Sequence, residues 1–138
     1  MDMSFDRAAQ QTNNSGSSSP QPCGAELCQK PIDLVHLARY TLGNRALELE
    51  ILQLFQRQSE IDINRLATAQ TDKAWLEAAH TIKGSARAVG AWHVGLLAEA
   101  AERLSGDALA RHRGDTITKL AEEIGIAGRY IESLLAED

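Results

Sequence analysis

One histidine in this sequence stands among residue types that suit the chemistry of a phosphoryl group. His80 is followed by Lys83, Gly84 and Ser85, and Arg87 comes next on the same side of a helix. Imidazole is a nucleophile near pH 7 because much of it is uncharged at that pH. A phosphoryl group bound to it brings negative charge, which lysine and arginine side chains can offset. These neighbours therefore favour a reactive histidine over an incidental one.

A helical wheel places His80 on the water-facing side of its helix. With about 100° per residue, the apolar residues of this segment form a sector centred almost opposite His80. They are Trp75, Ala78, Ile82, Ala86 and Val89. Within about 60° of His80 on the same wheel lie Lys73, Lys83, Gly84 and Arg87. We expect the apolar sector to face the core, and His80 to be exposed among cations.

Gly84 is the second unusual feature of this helix. A glycine in a helix interior costs stability, and packing alone gives little reason for one beside an exposed histidine. Without a side chain at this position, the backbone of a partner can approach the imidazole closely. Lys83 lies one turn and Arg87 two turns after His80, so both can approach a phosphoryl group from the same side. An incidental surface histidine is the alternative interpretation.

The segments around the histidine are predicted to be helices with short connections. A short helix follows Pro31 and ends at Gly43, and a long helix capped by Asn44 runs to about Ala69. The next helix runs from Lys73 to Val89 after a Thr71-Asp72 cap, another begins at Ala91-Trp92 and is closed by Gly106, and the last covers about Asp115 to Leu135. No segment alternates as a half-buried strand does. The fold class is therefore all-α, an antiparallel up-down four-helix bundle with a short extra N-terminal helix.

Three further patterns carry expectations about packing. In the long helix the residues near helical spacing are Leu47, Ile51, Leu54, Phe55, Ile61 and Leu66. In the last helix Gly125 and Gly128 indicate a close contact between helices. Arg111–Gly114 is interpreted as a small basic loop without a function, and Glu99, Glu102 and Arg103 as a solvated helix face, with docking as the alternative.

The bulk composition limits the possible partners and location. A chain of 138 residues with a net charge of −5 fits one domain and lacks the basic surface of a nucleic-acid binder. Residues 1–30 are too polar to form a core and are expected to be a flexible tail, in which Cys23 and Cys28 are reduced thiols. No apolar run is long enough for a membrane span, and no secretory signal is evident, so the expected location is the cytoplasm.

The residues from His80 to Ala91 match a family pattern. His80-Thr-Ile-Lys83-Gly84-Ser85-Ala86, followed by Val89-Gly90-Ala91, closely resembles the signature of histidine-phosphotransfer (HPt) domains of bacterial two-component phosphorelays. The resemblance extends beyond this motif. Such domains have similar segments at the positions of Pro31-Ile-Asp-Leu34, Leu52-Gln-Leu-Phe55 and Leu96–Glu102. The resemblance covers residues 31–136, which defines the expected domain as residues 31–138.

This resemblance implies a phosphorelay carrier. His80 would accept a phosphoryl group from the aspartyl phosphate of a receiver domain and pass it to, or back to, another receiver. By the same resemblance Lys83 screens the phosphate, Gly84 gives room and Ser85 supports local hydrogen bonding, while Arg87 is added from the wheel. The implied partners are response-regulator receiver domains, a hybrid histidine kinase, or both. The chain is expected to be a monomer without a cofactor, with Mg²⁺ held by the receiver.

Other classes of function stay open at this point. An HPt-like adaptor would dock on a receiver or kinase without carrying phosphate. A third possibility is a purely structural bundle, or a bundle that binds a metal or haem through His36, His93 and His112. No Glu-x-x-His pair is present, so no metal site is predicted. No Gly-rich nucleotide loop occurs, so the chain is not expected to be an ATP-dependent kinase or another enzyme.

Overall fold

The part of the chain that the structure describes, residues 30–137 of a computed structural model, consists of five α-helices and contains no strand. They are α1 Leu34–Thr41, α2 Arg45–Ala67, α3 Asp72–Val89, α4 Trp92–Glu102 and α5 Gly106–Glu137. Helices α2 to α5 form a closed bundle, because α2 and α4 each pack against both α3 and α5, and α1 lies against α2 and α3. This confirms the all-α prediction. The predicted tail and both cysteines lie outside the described residues, apart from Lys30.

Two predicted caps define where the central helices begin. The Asn44 side chain accepts a hydrogen bond from the backbone N–H of Leu47 at the start of α2. The Thr71 side chain accepts one from the N–H of Ala74 at the start of α3. Each bond satisfies an N–H group that has no partner within its own helix. The caps thus fix the register of the two helices that lead to His80.

Gly90 ends α3 and anchors the short helix α1. Its φ of +78° is in the left-handed region, and an added Cβ would lie 2.9 Å from atoms of Asp33. Asp33 is buried, caps α1 through the N–H of His36 at 3.1 Å, and accepts a hydrogen bond from Trp92 Nε1 at 3.0 Å. Its own N–H donates to the Gly90 carbonyl. A residue with a side chain at position 90 would displace α1 from the bundle.

The buried face of α3 is the predicted one. All five apolar residues of the predicted sector are buried, and these are Trp75, Ala78, Ile82, Ala86 and Val89. A large apolar side chain contributes about 1.5–3 kcal/mol when fully buried. This face therefore fixes the rotation of α3 about its axis, and with it the outward direction of His80.

The prediction for the packing face of α2 is largely wrong. Of the six apolar residues that it used, only Phe55 and Leu66 are buried, while Leu47, Leu54 and Ile61 are exposed. The buried stripe lies next to the predicted one and includes polar residues. Its members are Glu48, Leu52, Phe55, Ser59, Asp62 and Leu66. Local bonds satisfy two of these polar groups: Glu48 accepts from Thr41 Oγ1 at 2.8 Å, and Ser59 Oγ donates to the Phe55 carbonyl at 2.7 Å.

The boundary between the last two helices also differs from the prediction. Helix α4 ends at Glu102, and Gly106 begins α5 instead of closing α4. Asp72 at the start of α3 accepts a hydrogen bond from the Gly106 N–H at 3.0 Å, which supports the new helix from outside its own sequence. Helix α5 therefore starts nine residues before Asp115. The predicted basic loop Arg111–Gly114, with His112, is helical.

The two glycines of α5 differ in their surroundings. Gln56 Nε2 of α2 donates to the Gly128 carbonyl at 3.5 Å and would lie 3.4 Å from an added Cβ, so the predicted close contact is confirmed there. For Gly125 the prediction is wrong, because the atom within 4 Å of an added Cβ belongs to Arg129 of the same helix.

Arg113 connects α5 to the turn between α2 and α3. Its Nη2 donates to the carbonyls of Ala67 and Ala69, both at 2.7 Å, and its guanidinium carbon lies 5.2 Å from the centre of the Trp75 ring. We expect Arg113→Ala to lower the free energy of unfolding by about 1–2 kcal/mol. Urea denaturation measures this, with the exposed Arg111→Ala as the control on the same helix. Equal losses in both variants would contradict the assigned contacts.

Candidate functional site

The outward face of α3 carries His80 as predicted. Its side chain is 71% exposed, midway along the helix and on the side opposite the core face. The ring is nevertheless held in place. His80 Nδ1 lies 2.6 Å from Glu102 Oε2, at the end of α4. An exposed imidazole with one nitrogen bound and the rest of its ring open to solvent can react with a group from another molecule.

Glu102 joins His80 and Lys83 into one cluster. Lys83 Nζ donates to Glu102 Oε1 at 2.6 Å, so each carboxylate oxygen has one partner from α3. The Glu102 side chain is only 13% exposed, and the interpretation of this residue as part of a solvated helix face is wrong. Sequence reasoning missed the contact because it joins residues that are 22 positions apart. The available signal was an acidic residue at the end of a helix that must pack beside α3.

The Glu102 carboxylate is ionised under ordinary conditions. The hydrogen bond from Lys83 lowers its pKa below the usual value of 4.5; partial burial opposes this shift, and the hydrogen bond with His80 supports it. An ionised carboxylate only accepts hydrogen bonds. The proton in the contact must therefore be on His80 Nδ1, which donates to Glu102. In neutral imidazole this leaves the lone pair on Nε2, the nitrogen on the other side of the exposed ring.

The same contacts predict how the Glu102 carboxyl titrates. Lys83→Met removes the main cause of the shift, so we expect the pKa of Glu102 to rise, as measured by ¹³C NMR of its carboxyl carbon. In the wild type the lowered pKa contributes stability that is present above about pH 4.5 and is lost as the pH falls through the folded value. The control is Lys119→Met, whose partner is Asp115. An unchanged pKa in Lys83→Met would contradict this prediction.

The remaining predicted site residues have separate surroundings. No atom of the described chain outside the local helix backbone lies within 4 Å of a Cβ added to Gly84, so packing does not require this glycine. Ser85 Oγ donates to the carbonyls of Thr81 and Ile82 within α3. Arg87 Nη2 is 3.4 Å from Glu99 Oε1 on α4, so its guanidinium is directed to α4. The structure thus brings Lys83 to His80 through Glu102, whereas Ser85 and Arg87 have other partners.

An apolar stripe on α2 lies on the side of this helix that faces away from α5. Leu47, Leu54 and Ile61 recur every seven residues and are all exposed. Residues of α2 that line the α2–α5 groove, such as Gln56 and Ile63, are about 180° away on a helical wheel. Since α2 packs between α3 and α5, this α2 stripe lies on the flank next to α3.

The described residues form neither a group of metal-ligand residue types nor a membrane-spanning helix. Between residues 30 and 137, no three His, Cys, Asp or Glu side chains are grouped so that they could hold a metal ion. None of the five described helices combines the length and apolarity that a bilayer crossing requires. Of the other histidines, His36 packs edge-on against Trp92 with ring centres 4.8 Å apart. The cluster around His80 is thus the candidate functional site.

Comparison with known proteins identifies the family of this chain. The model of the Hpt domain family matches residues 50–134, more than half of the 138 residues, and the chain belongs to this family. The match includes His80, Lys83 and Glu102. No curated protein and no solved structure is similar enough to count as a match. Hpt domains are phosphotransfer carriers rather than kinases, and they interact with receiver domains and histidine kinases in phosphorelays.

Proposed function

We propose that this protein accepts a phosphoryl group on Nε2 of His80 from the aspartyl phosphate of a receiver domain and passes it to, or back to, another receiver. One observation carries the proposal. Nδ1 of an exposed imidazole lies 2.6 Å from Oε2 of a largely buried carboxylate. This arrangement presents the lone pair of Nε2 to an incoming partner and fixes the orientation of the ring.

The transfer needs no proton to move. The Nε2 lone pair forms a bond to phosphorus as the bond from phosphorus to the aspartyl oxygen breaks, and the aspartate leaves as a carboxylate. Because Nδ1 keeps its proton, the phosphorylated ring carries a positive charge. The Glu102 carboxylate, 2.6 Å from Nδ1, stabilises that charge. The reverse reaction follows the same path, so this geometry supports both acceptance and donation.

Lys83 supports this reaction through Glu102. Its ammonium group donates to Glu102 Oε1 at 2.6 Å. It keeps that carboxylate ionised and oriented, and it adds positive charge beside the ring to which the phosphoryl group binds. Arg87 contributes positive charge nearby but no contact, because Glu99 holds its guanidinium. Ser85 stabilises α3 through its backbone bonds.

The partner supplies the rest of the active site. In this proposal the chain does not take its phosphoryl group from ATP. The Mg²⁺ ion that assists the transfer belongs to the receiver domain. A receiver that reaches His80 covers the outward side of α3, where Gly84 has no side chain, and the adjoining α2 stripe of Leu47, Leu54 and Ile61. Burial of these exposed leucine and isoleucine side chains supplies docking free energy.

Gly84 provides a test that separates docking from stability. Within the chain an added Cβ at position 84 has open space, so Gly84→Ala is expected to raise the free energy of unfolding by about 0.5–1 kcal/mol. The same methyl group would meet the receiver, so the rate of phosphotransfer should fall although the fold is more stable. Urea denaturation and label transfer measure the two effects. A stabilised variant that transfers at the wild-type rate would contradict close approach at this position.

The proposal is tested by transfer from a receiver carrying ³²P on its aspartate. We expect label to move to this chain in seconds to minutes and to show the acid lability and alkali stability of phosphohistidine. ATP alone should give no label. A chain that binds the receiver but never carries label would instead be an adaptor, and our proposal would be wrong.

A further inference from the structure

A separate hydrogen bond fastens the end of α4 that bears Glu102. Trp75 Nε1 donates to the carbonyl oxygen of Ala101 at 2.8 Å. Both residues are fully buried. Ala101 directly precedes Glu102 in the chain, so this bond fixes the backbone beside the carboxylate that His80 contacts.

The end of α4 needs such support. The helix has 11 residues, and Glu102 is the last of them. Backbone N–H groups of the following turn bond its last carbonyls: Arg103 donates to Ala100 and Leu104 to Ala101. Helix ends of this kind are the first parts to open. A second bond holds the turn that follows, since Asp72 Oδ2 accepts from the Gly106 N–H at 3.0 Å. The residue that contacts His80 therefore lies at a helix end that is held from outside α4.

Both supports come from α3, the helix that carries His80. Trp75 lies five residues before His80, and Asp72 begins the same helix. Helix α3 thus binds the backbone of the α4 end through Trp75, and the Glu102 carboxylate through His80 and Lys83. Removing the backbone contact allows the carboxylate to move relative to the imidazole.

We infer that Trp75 is a positioning residue for phosphoryl transfer, which acts by holding Ala101 so that Glu102 meets His80. This inference rests on the proposed function and adds a residue that touches neither the phosphoryl group nor the imidazole. Displacement of a group by about 1 Å through a distant substitution can slow a reaction by about 100-fold. The buried indole N–H is the one part of Trp75 to which this role is assigned.

The two tryptophans allow a matched experiment. Trp75→Phe removes the bond to Ala101, whereas Trp92→Phe removes the indole bond to Asp33 at the opposite end of α4. Both variants lose one indole hydrogen bond and similar bulk, so both should lower the melting temperature. We expect only Trp75→Phe to slow transfer, by about tenfold. In the unphosphorylated protein, ¹⁵N NMR of the His80 ring should show a smaller share of the Nδ1–H form only in Trp75→Phe.

The NMR readout keeps this inference distinct from the proposed function. If wild type takes up no label, the proposed function fails, while the ring spectrum still reports on positioning. Wild-type spectra and rates in a folded Trp75→Phe protein would overturn the inference, as would equal changes in Trp92→Phe. Asp72→Ala, at an exposed residue, provides a second variant should Trp75→Phe not fold. It should shift the ring spectrum in the same direction, and an unchanged spectrum there would also overturn the inference.

Discussion

His80→Gln is expected to abolish uptake of label from a phosphorylated receiver while leaving the bundle intact. The side chain is 71% exposed and lies opposite the core face of α3, so its replacement should change the free energy of unfolding by no more than about 0.5 kcal/mol. The nucleophilic nitrogen disappears, and no other side chain of the described cluster can replace it. Autoradiography and circular dichroism measure the two quantities.

The matched control for this variant is His112→Gln. His112 is also an exposed histidine, but it lies on α5 and outside the cluster. It should take up label at the wild-type rate. Labelling of His80→Gln at the wild-type rate would show that another residue accepts the phosphoryl group.

Removal of the Glu102 carboxylate should have the next largest effect. Glu102→Ala leaves His80 Nδ1 without its acceptor and Lys83 without its partner. Loss of a residue that orients a metal-bound imidazole costs about 10- to 100-fold in activity, and we expect transfer to slow by a similar amount here. Glu102→Gln keeps an oxygen acceptor but removes the charge that stabilises the phosphorylated ring, so its rate should lie between those of Glu102→Ala and wild type.

Glu99→Gln is the control for this prediction. Glu99 lies on the same helix one turn earlier, and its carboxylate binds Arg87 and Arg103 instead of His80. We expect near-wild-type transfer from this variant. A comparable loss in Glu99→Gln would mean that the overall charge of the α3–α4 surface matters, and not the contact between Glu102 and the imidazole. Initial rates at several receiver concentrations separate weaker docking from slower transfer.

The exposed position of His80 could be predicted because it depends on one helix alone. The apolar sector of α3 defines a rotation about the helix axis, and Trp75, Ile82 and Val89 are buried as that sector requires. The contact with Glu102 could not be predicted in this way. It depends on how far α4 is shifted along α3, and buried bonds such as that from Trp75 to Ala101 set this shift.

Two errors in the predicted fold can each be traced to the residues of one helix. In α2 the buried stripe includes Ser59 and Asp62, so a search for apolar residues selected the neighbouring stripe, which contains Leu54 and is exposed. In α5 the first nine residues contain two glycines and a polar run, a composition typical of a loop. Contacts with other elements hold them in place: Asp72 accepts from the Gly106 N–H, and Arg113 donates to the carbonyls of Ala67 and Ala69.

The corrected α2 stripe changes the interpretation of the binding surface. Leu47, Leu54 and Ile61 would have been core residues in the sequence-based picture, whereas they lie in solvent on the flank next to α3. The stripe is an apolar area beside α3, and the open space at Gly84 allows close approach to the imidazole. In the proposed function one receiver covers both.

The most direct test of the central claim is to locate the phosphoryl group on the wild-type protein. After transfer from a phosphorylated receiver, mass spectrometry at alkaline pH identifies the modified residue, and ³¹P–¹H NMR correlation identifies the ring nitrogen. Because Glu102 holds Nδ1, we predict a single phosphoryl group on Nε2 of His80. Phosphate on Nδ1, or on any residue other than His80, would contradict the account.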